Sequence, residues 1–399
     1  MNRFMKRLRD TQPATGLMLA YIFSLLPCVA WAATPNYAMI TEKALTSMLL
    51  DIAAAGDNLV AVGERGHILY SEDGGKTWVQ ARVPVSTMLT RIFFISPELG
   101  WAVGHDGNVL VSRDGGINWE LQRDGVSAQA QINEERAGRA KVQLEQLYEQ
   151  AKAAPEDDQE DLDAALEEAA HKLKVARDAL NEQVFAPPLM DVWFTDEERG
   201  WASGAYGTLL HTSNSGRHWD DWSHKVDNPE ELHLNGVAGA PDGSLYLASE
   251  WGTVFRSQSN GAHWEPLETG YDGSFFGVLV SPASGSVFAY GLLGTVYRSR
   301  DGGENWEPLQ SRAPASLFGG IATIDGTLVF VGQGGMATMS RDDGDTFTLL
   351  PQATRAGIYG IAAMPDGGYM VTGDGGSRLL AFDQAVISGS SPANRKASQ

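Results

Sequence analysis

One phrase recurs along this chain, and its period limits what the chain can fold into. Ser71–Trp78 reads SEDGGKTW, Ser112–Trp119 reads SRDGGINW and Ser299–Trp306 reads SRDGGENW. Weaker copies are TSNSGRHW ending at Trp219, SQSNGAHW ending at Trp264 and SRDDGDTF ending at Phe347. The copies end 41, 100, 45, 42 and 41 residues apart, so the long gap is one period plus an insertion. A period of 40–45 residues with turn residues at fixed offsets is the signature of radially repeated β-sheets.

Two further markers keep the same period. A Gly-x-x-Gly turn stands at Gly63/Gly66, Gly104/Gly107, Gly204/Gly207, Gly291/Gly294, Gly332/Gly335 and Gly373/Gly376, with Ser249/Gly252 as a variant. An apolar residue lies three positions before a β-branched one at Leu49, Leu89, Leu189, Leu234, Phe275, Phe318 and Ile358. Each marker occurs seven times. The second repeat shows the grammar: TRIFFIS, GWAVG, NVLVS and INWELQ read as four strands joined by turns. The fold class expected is therefore all-β, a seven-bladed β-propeller. The last repeat ends without an Asp-Gly box, so the segment Pro35–Thr46 is expected to supply its outer strand and close the ring, which removes exposed edges. In the box itself Gly provides positive φ, Asp accepts backbone hydrogen bonds and the aromatic residue packs between sheets. Asp73, Trp78, Asp114, Trp119, Trp219, Trp264, Asp301, Trp306, Asp342 and Phe347 are accordingly read as structural, with calcium binding at the Asp residues as the alternative.

Residues 126–186 break the pattern. Gly nearly vanishes, and Ala, Glu, Gln and Lys dominate, which is a helix composition. Ala137, Ala140, Leu144, Leu147, Ala151 and Ala154 follow a 3,4 spacing, as do Leu162, Leu166, Ala169, Leu173, Ala176 and Leu180 beyond Pro155. Pro155 followed by Glu156, Asp157 and Asp158 favours a second helix start. The insertion reads as an antiparallel α-helical hairpin that rises beside the axial mouth on the Gly-turn face and serves as a partner-binding arm.

The chain has 399 residues and a formal charge of −20, which excludes nucleic acid as a partner because phosphate neutralisation needs Lys and Arg. Arg3, Lys6, Arg7 and Arg9, the apolar run from Gly16 to Ala30 and Ala30-Trp31-Ala32 form the three parts of a Sec-type secretory signal. Cleavage is expected near Ala32/Ala33. The only cysteine, Cys28, falls inside that segment, so the mature chain is expected to have no disulfide, and once the signal is cleaved no direct membrane insertion is expected. The expected organisation is a signal over 1–32, propeller over 33–125 (closing strand and blades one and two), hairpin over 126–186, propeller over 187–385 (blades three to seven) and a disordered tail over 386–399. The location expected is periplasmic or secreted.

The boxes are the Asp-box or BNR repeat found in sialidases, other glycosidases and sorting receptors. With seven copies, Gly100-Trp-Ala-Val-Gly104 and Gly200-Trp-Ala-Ser-Gly204, the chain most resembles the photosystem II stability/assembly factor family. That resemblance covers roughly residues 40–385 outside the insertion. It implies a non-enzymatic assembly protein that binds membrane-protein partners.

Sites are sought where the repeat varies. The residues inside the Gly turns ring one mouth, and there Arg65, His105, Tyr206, Trp251 and Leu293 are the candidates for partner binding. The residue before the β-branched marker is Asp51, Arg91, Asp191, Gly236, Gly277, Gly320 or Gly360. Arg91 between Asp51 and Asp191 reads as an ion-pair network near the axis or a polar ligand site. No Walker loop, nucleophile elbow or metal spacing occurs, so no cofactor, metal or catalytic residue is assigned. The function expected is binding and assembly of an envelope membrane-protein complex, such as a transporter. The alternative is glycan binding or sialidase-like hydrolysis, in which Asp51 and Asp191 would act as the carboxylate pair.

Overall fold

The computed structural model describes residues 36–155, 159–365 and 367–381. The signal segment, the tail and Glu156–Asp158 lie outside the described residues. Among the described residues seven antiparallel sheets follow one another, six of four strands and one of three, each with its strands in chain order. Blade two is typical, with strands Leu89–Phe94, Gly100–Gly104, Val109–Ser112 and Glu120–Arg123. Six of the second strands are buried along their whole length, Gly100–Gly104, Gly200–Gly204, Val287–Gly291 and Leu328–Gly332 among them, and that of blade one is buried beyond Asn58. They read as continuous apolar runs rather than alternations because a blade is covered on both faces by its neighbours.

The Asp box is the device that joins blades. In blade one Ser71 Oγ accepts from Gly75 N at 2.8 Å, and Asp73 Oδ1 accepts from Lys76 N and Thr77 N at 3.0 and 2.8 Å. Thr77 Oγ1 donates to Asp73 Oδ2, and Trp78 Nε1 donates to the Gly75 carbonyl at 3.1 Å. The same bonds recur around Asp114 and Asp301. The Thr77 hydroxyl and amide hold the Asp73 carboxyl down to about 2, and Asn305 does the same for Asp301. The box leaves a bare Cα facing the preceding blade: a methyl at Gly116 would collide with Val60, at Gly261 with Trp201, and at Gly303 with Leu267.

Ring closure differs from the sequence expectation. Among the described residues blade seven keeps three strands, Ile358–Ala363, Tyr369–Gly373 and Gly376–Leu379. The segment before blade one adds no fourth strand. Thr41 caps a 3-10 turn over Glu42–Thr46, and Ala38 N bonds the Val83 carbonyl on blade one. The Thr-Glu cap signal prevails over extension. Closure is instead by packing, with Ala362 and Met370 of blade seven joining Ile52, Leu59 and Leu69 of blade one. The sequence marker of blade six is also shifted by one. Leu317, not Phe318, pairs with Gly332, and Gly319, not Gly320, holds the position of Asp51. The ring of Phe330 covers Gly320, so an aromatic on the second strand replaces the β-branched residue that the pattern relies on.

The insertion forms helix α1 (Gly125–Ala153) and helix α2 (Gln159–Asp178), paired as a hairpin. Both seams read from the 3,4 spacing are half-buried or buried, except Leu180, which is exposed. The hairpin starts against the Gly turn of blade two, where Gly125 abuts Asp106 and Gly107, and it docks on the outer edge of blade three. Ile132 joins the core of Trp101, Phe194 and Trp219, where Trp101 and Phe194 stack at 3.5 Å between centroids. Asp221, on the outer strand Asp220–Asp221 of blade three, accepts from Arg136 Nε and Arg139 Nη2, each at 2.9 Å. Burial opposes ionisation of Asp221, but the hydrogen bonds from Arg136 and Ser223 prevail and hold its carboxyl at about 2.

Two stability results follow from this packing. Gly116 has φ +91 and touches Val60, whereas Gly74 has φ +70 and open space around it. Gly74→Ala is expected to cost about 1 kcal/mol from backbone strain alone, and Gly116→Ala about 2–4 kcal/mol because overpacking adds to it. Urea denaturation of the two variants measures the difference. Asp221→Asn is expected to remove about 2 kcal/mol of charge-assisted bonding at the hairpin base. Hydrogen exchange should then show loss of protection in residues 127–139 with the blade cores unchanged.

Candidate functional site

The start of every inner strand lies beside a Gly turn, because Glu64, His105 and Gln333 donate their backbone N–H to the carbonyls of Met48, Met88 and Ser316. One end of the axis therefore carries both features. The inner strands pair irregularly at this end in six blades, for example between Leu49 and Asp51, between Leu89 and Arg91 and between Ile358 and Gly360. The bulge turns the residue after the buried marker towards the axis. Leu50, Thr90, Met190, Phe276, Phe318 and Tyr359 thus ring a cavity of about 270 Å³ that reaches Arg91, and Asn235 of the regularly paired blade four completes the ring. Blades five to seven give it an aromatic arc, with centroids 5.8 Å apart for Phe276 and Phe318 and 5.5 Å for Phe318 and Tyr359. The Tyr359 hydroxyl donates to Asp374 Oδ1 at 3.1 Å.

Below the ring the structure brings Asp51, Arg91 and Asp191 together. Arg91 Nη1 lies 3.5 Å from Asp51 Oδ1, and Arg91 Nε lies 3.3 Å from Asp191 Oδ1. These are longer than charge-assisted hydrogen bonds. The carboxylates bond backbone instead. Asp51 Oδ2 accepts from Ile92 N at 3.0 Å, and Asp191 accepts from Val192 N at 2.8 Å and Val237 N at 2.9 Å. Each Asp thereby ties its own blade to the next one, and Arg91 compensates the two buried charges. Burial outweighs the attraction of Arg91 and raises Asp51 to about 6; Asp191 is raised for the same reason. The Tyr290 hydroxyl, buried over Gly277 on the far side, is pushed up to about 12.

Around the mouth stand the tips of the Gly turns. Arg65, His105, Tyr206, Trp251 and Leu293 are all exposed there. Arg65, Tyr206, Trp251 and Leu293 occupy the left-handed region, as does Asp106 rather than its neighbour His105. Sequence reasoning placed the five turn residues at one mouth and Asp51, Arg91 and Asp191 near the axis, but it missed Phe276 and Tyr359 and took Phe318 for a core marker. The aromatic residue after the marker was visible in blades five and seven; the bulge that aims it was not.

The comparisons fit this geometry. A family model described as photosynthesis system II assembly factor YCF48 matches residues 32–113 and 178–377, the propeller on either side of the hairpin. The chain belongs to this family. A solved structure of YCF48 bound to a D1 peptide aligns with a TM-score of 0.58 at 16% identity, over 85% of this chain and 95% of that one. YCF48 from Cyanidioschyzon merolae aligns with a TM-score of 0.56 at 15% identity, over 86% and 97%. The WD40 propeller domain of Doa1 gives 0.56 at 10% identity, over 88% and 97%. No curated protein matches the chain. At these identities the solved structures share the fold.

The axial pair predicts a pH dependence. Native Asp51 takes its proton near pH 6, while the unfolded chain takes it near the ordinary carboxyl value, so the native state holds more protons in between. Stability should therefore fall as pH rises from about 4 to about 6, by up to about 3 kcal/mol, and then level off. Unfolding free energies measured across that range should show a flatter slope in Asp51→Asn.

Proposed function

We propose that this chain is an exported, non-catalytic assembly protein that binds a segment of an envelope membrane protein, such as a transporter, at its Gly-turn face. The observation that carries the reading is the ring of Leu50, Met190, Phe276, Phe318 and Tyr359 around an open axial cavity, a surface suited to holding a peptide. Family membership supports it, since the YCF48 relative was solved with a D1 peptide bound. Export by the signal expected over residues 1–32 would bring the protein to the outer parts of membrane complexes. A glycosidase needs two carboxylates free to meet a sugar. Asp51 and Asp191 instead spend their oxygens on the amides of Ile92, Val192 and Val237. The geometry gives no support to hydrolysis.

The test is site-specific photocrosslinking in intact envelopes. A photoreactive residue at Phe318 or Tyr359 should capture a membrane protein. The same residue at Lys76 or Arg113, exposed in the Asp boxes of the opposite face, should not. Adducts confined to Lys76 and Arg113 would overturn the reading.

A further inference from the structure

The tips of blades three to five carry a feature that packing does not explain. Tyr206, Trp251 and Leu293 are 52%, 66% and 72% exposed, yet each sits at φ 55, 52 and 57. A bulky side chain in the left-handed region is a backbone outlier. The chain uses Gly334 and Gly375 at the corresponding tips of blades six and seven. The fold accepts this strain at five adjacent tips, those of Arg65 and Asp106 included, and it is on blades three to five that the strained residue is a large apolar group presented to solvent; such strain marks function more often than structure.

The three turns that carry these tips follow one another through shared contacts, Gly252 of the Trp251 turn lying against Tyr271. Phe185, at the exit of the hairpin and itself exposed, meets Tyr206 edge-on at 5.9 Å. Tyr206 packs on His233 at 5.0 Å, and His233 Nδ1 lies 3.2 Å from Glu250 Oε2, next to Trp251. The Tyr271 hydroxyl donates to the Leu292 carbonyl beside Leu293 at 3.4 Å. The turns that touch these tips bring Glu231 against Gly207, Tyr271 with its neighbour Asp272 against Gly252, and Ala313 with its neighbour Arg312 against Gly294, so that Glu231, Glu250 and Asp272 stand against Arg312. An acidic fringe around an apolar strip repels an anionic lipid surface, and repels a second copy of a chain that carries −20 overall.

We propose that this strip docks an apolar segment of the partner protein flanked by Lys or Arg residues, the apolar side chains lying on Tyr206, Trp251 and Leu293 and the cations meeting the acidic fringe. The inference rests on the reading that the Gly-turn face receives a protein partner, and it names the chemistry of that partner.

Three fluorescein-labelled synthetic peptides test it by polarisation with the purified chain: a Leu-rich core flanked by Lys, the same core flanked by Glu, and a Ser-rich core flanked by Lys. The first should bind at least tenfold more tightly than the other two, and its preference over the Glu-flanked peptide should shrink with salt. The double variant Trp251→Gly/Leu293→Gly should lose at least tenfold in affinity while its Tm stays the same or rises, because glycine relieves the strain. A merely structural role predicts the opposite for Tm. Equal binding of the Glu-flanked peptide, or undiminished binding by the double variant, would overturn the proposal. So would a dimer in sedimentation, or binding to anionic phosphatidylserine vesicles, that the double variant abolishes. Crosslinking from Phe318 that persists at full yield in the double variant would sink the strip and leave the assembly reading standing. Absence of membrane-protein adducts from Phe318 in the unaltered chain would sink the assembly reading, whereas peptide selectivity would still be judged by the polarisation result.

Discussion

The structure depends on the contact between the Asp-box glycine of one blade and the preceding blade. The Ser and Asp of the box bind the turn's own amides, which fixes the loop without help from outside. The loop then holds a bare Cα against Val60, Trp201, Leu267 or, across the closure, Met370. One motif therefore supplies two constraints, a hairpin turn and an interblade spacing. This is why it recurs, and why blades one and seven can meet through side-chain packing without a shared strand among the described residues.

The repeat made the fold legible because each of its markers reports a local requirement: positive φ in a turn, a large ring between sheets, or a buried strand. What escaped is what a linear period of two cannot express. The bulge at the head of the inner strands sends Leu50, Phe276 and Tyr359 towards the axis although their neighbours Leu49, Phe275 and Ile358 are buried. In blade six the exchange of a β-branched residue for Gly320, covered by Phe330, moved the apparent marker by one residue. Thr41 likewise turned a presumed strand into a capped 3-10 turn.

The hairpin illustrates the same limit. Its internal seam follows helical spacing and was readable. Its attachment was not, because Arg136 and Arg139 lie 85 and 82 residues from Asp221 and no local pattern links them. That buried carboxylate fixes the base of the arm to the rim of blade three. The exit of the arm at Phe185 still touches Tyr206, so the insertion borders the Gly-turn face without covering the axis.

The two parts of that face obey different constraints. At the axis, Asp51 and Asp191 bond the amides of the next blade, so the charged cluster is part of what spaces the blades and is not free to vary without loss of fit. At the tips the backbone is nearly the same in every blade, and the described left-handed residues there fall at φ 52–57 wherever they are not glycine. With the conformation imposed by the turn, the side chain becomes the free choice. The chain has placed Arg65 and Asp106 on blades one and two, apolar groups on blades three to five, and glycine on blades six and seven. An invariant scaffold carrying a variable rim is how one fold can serve different partners, and the asymmetry of the rim is where this chain's own specificity is written.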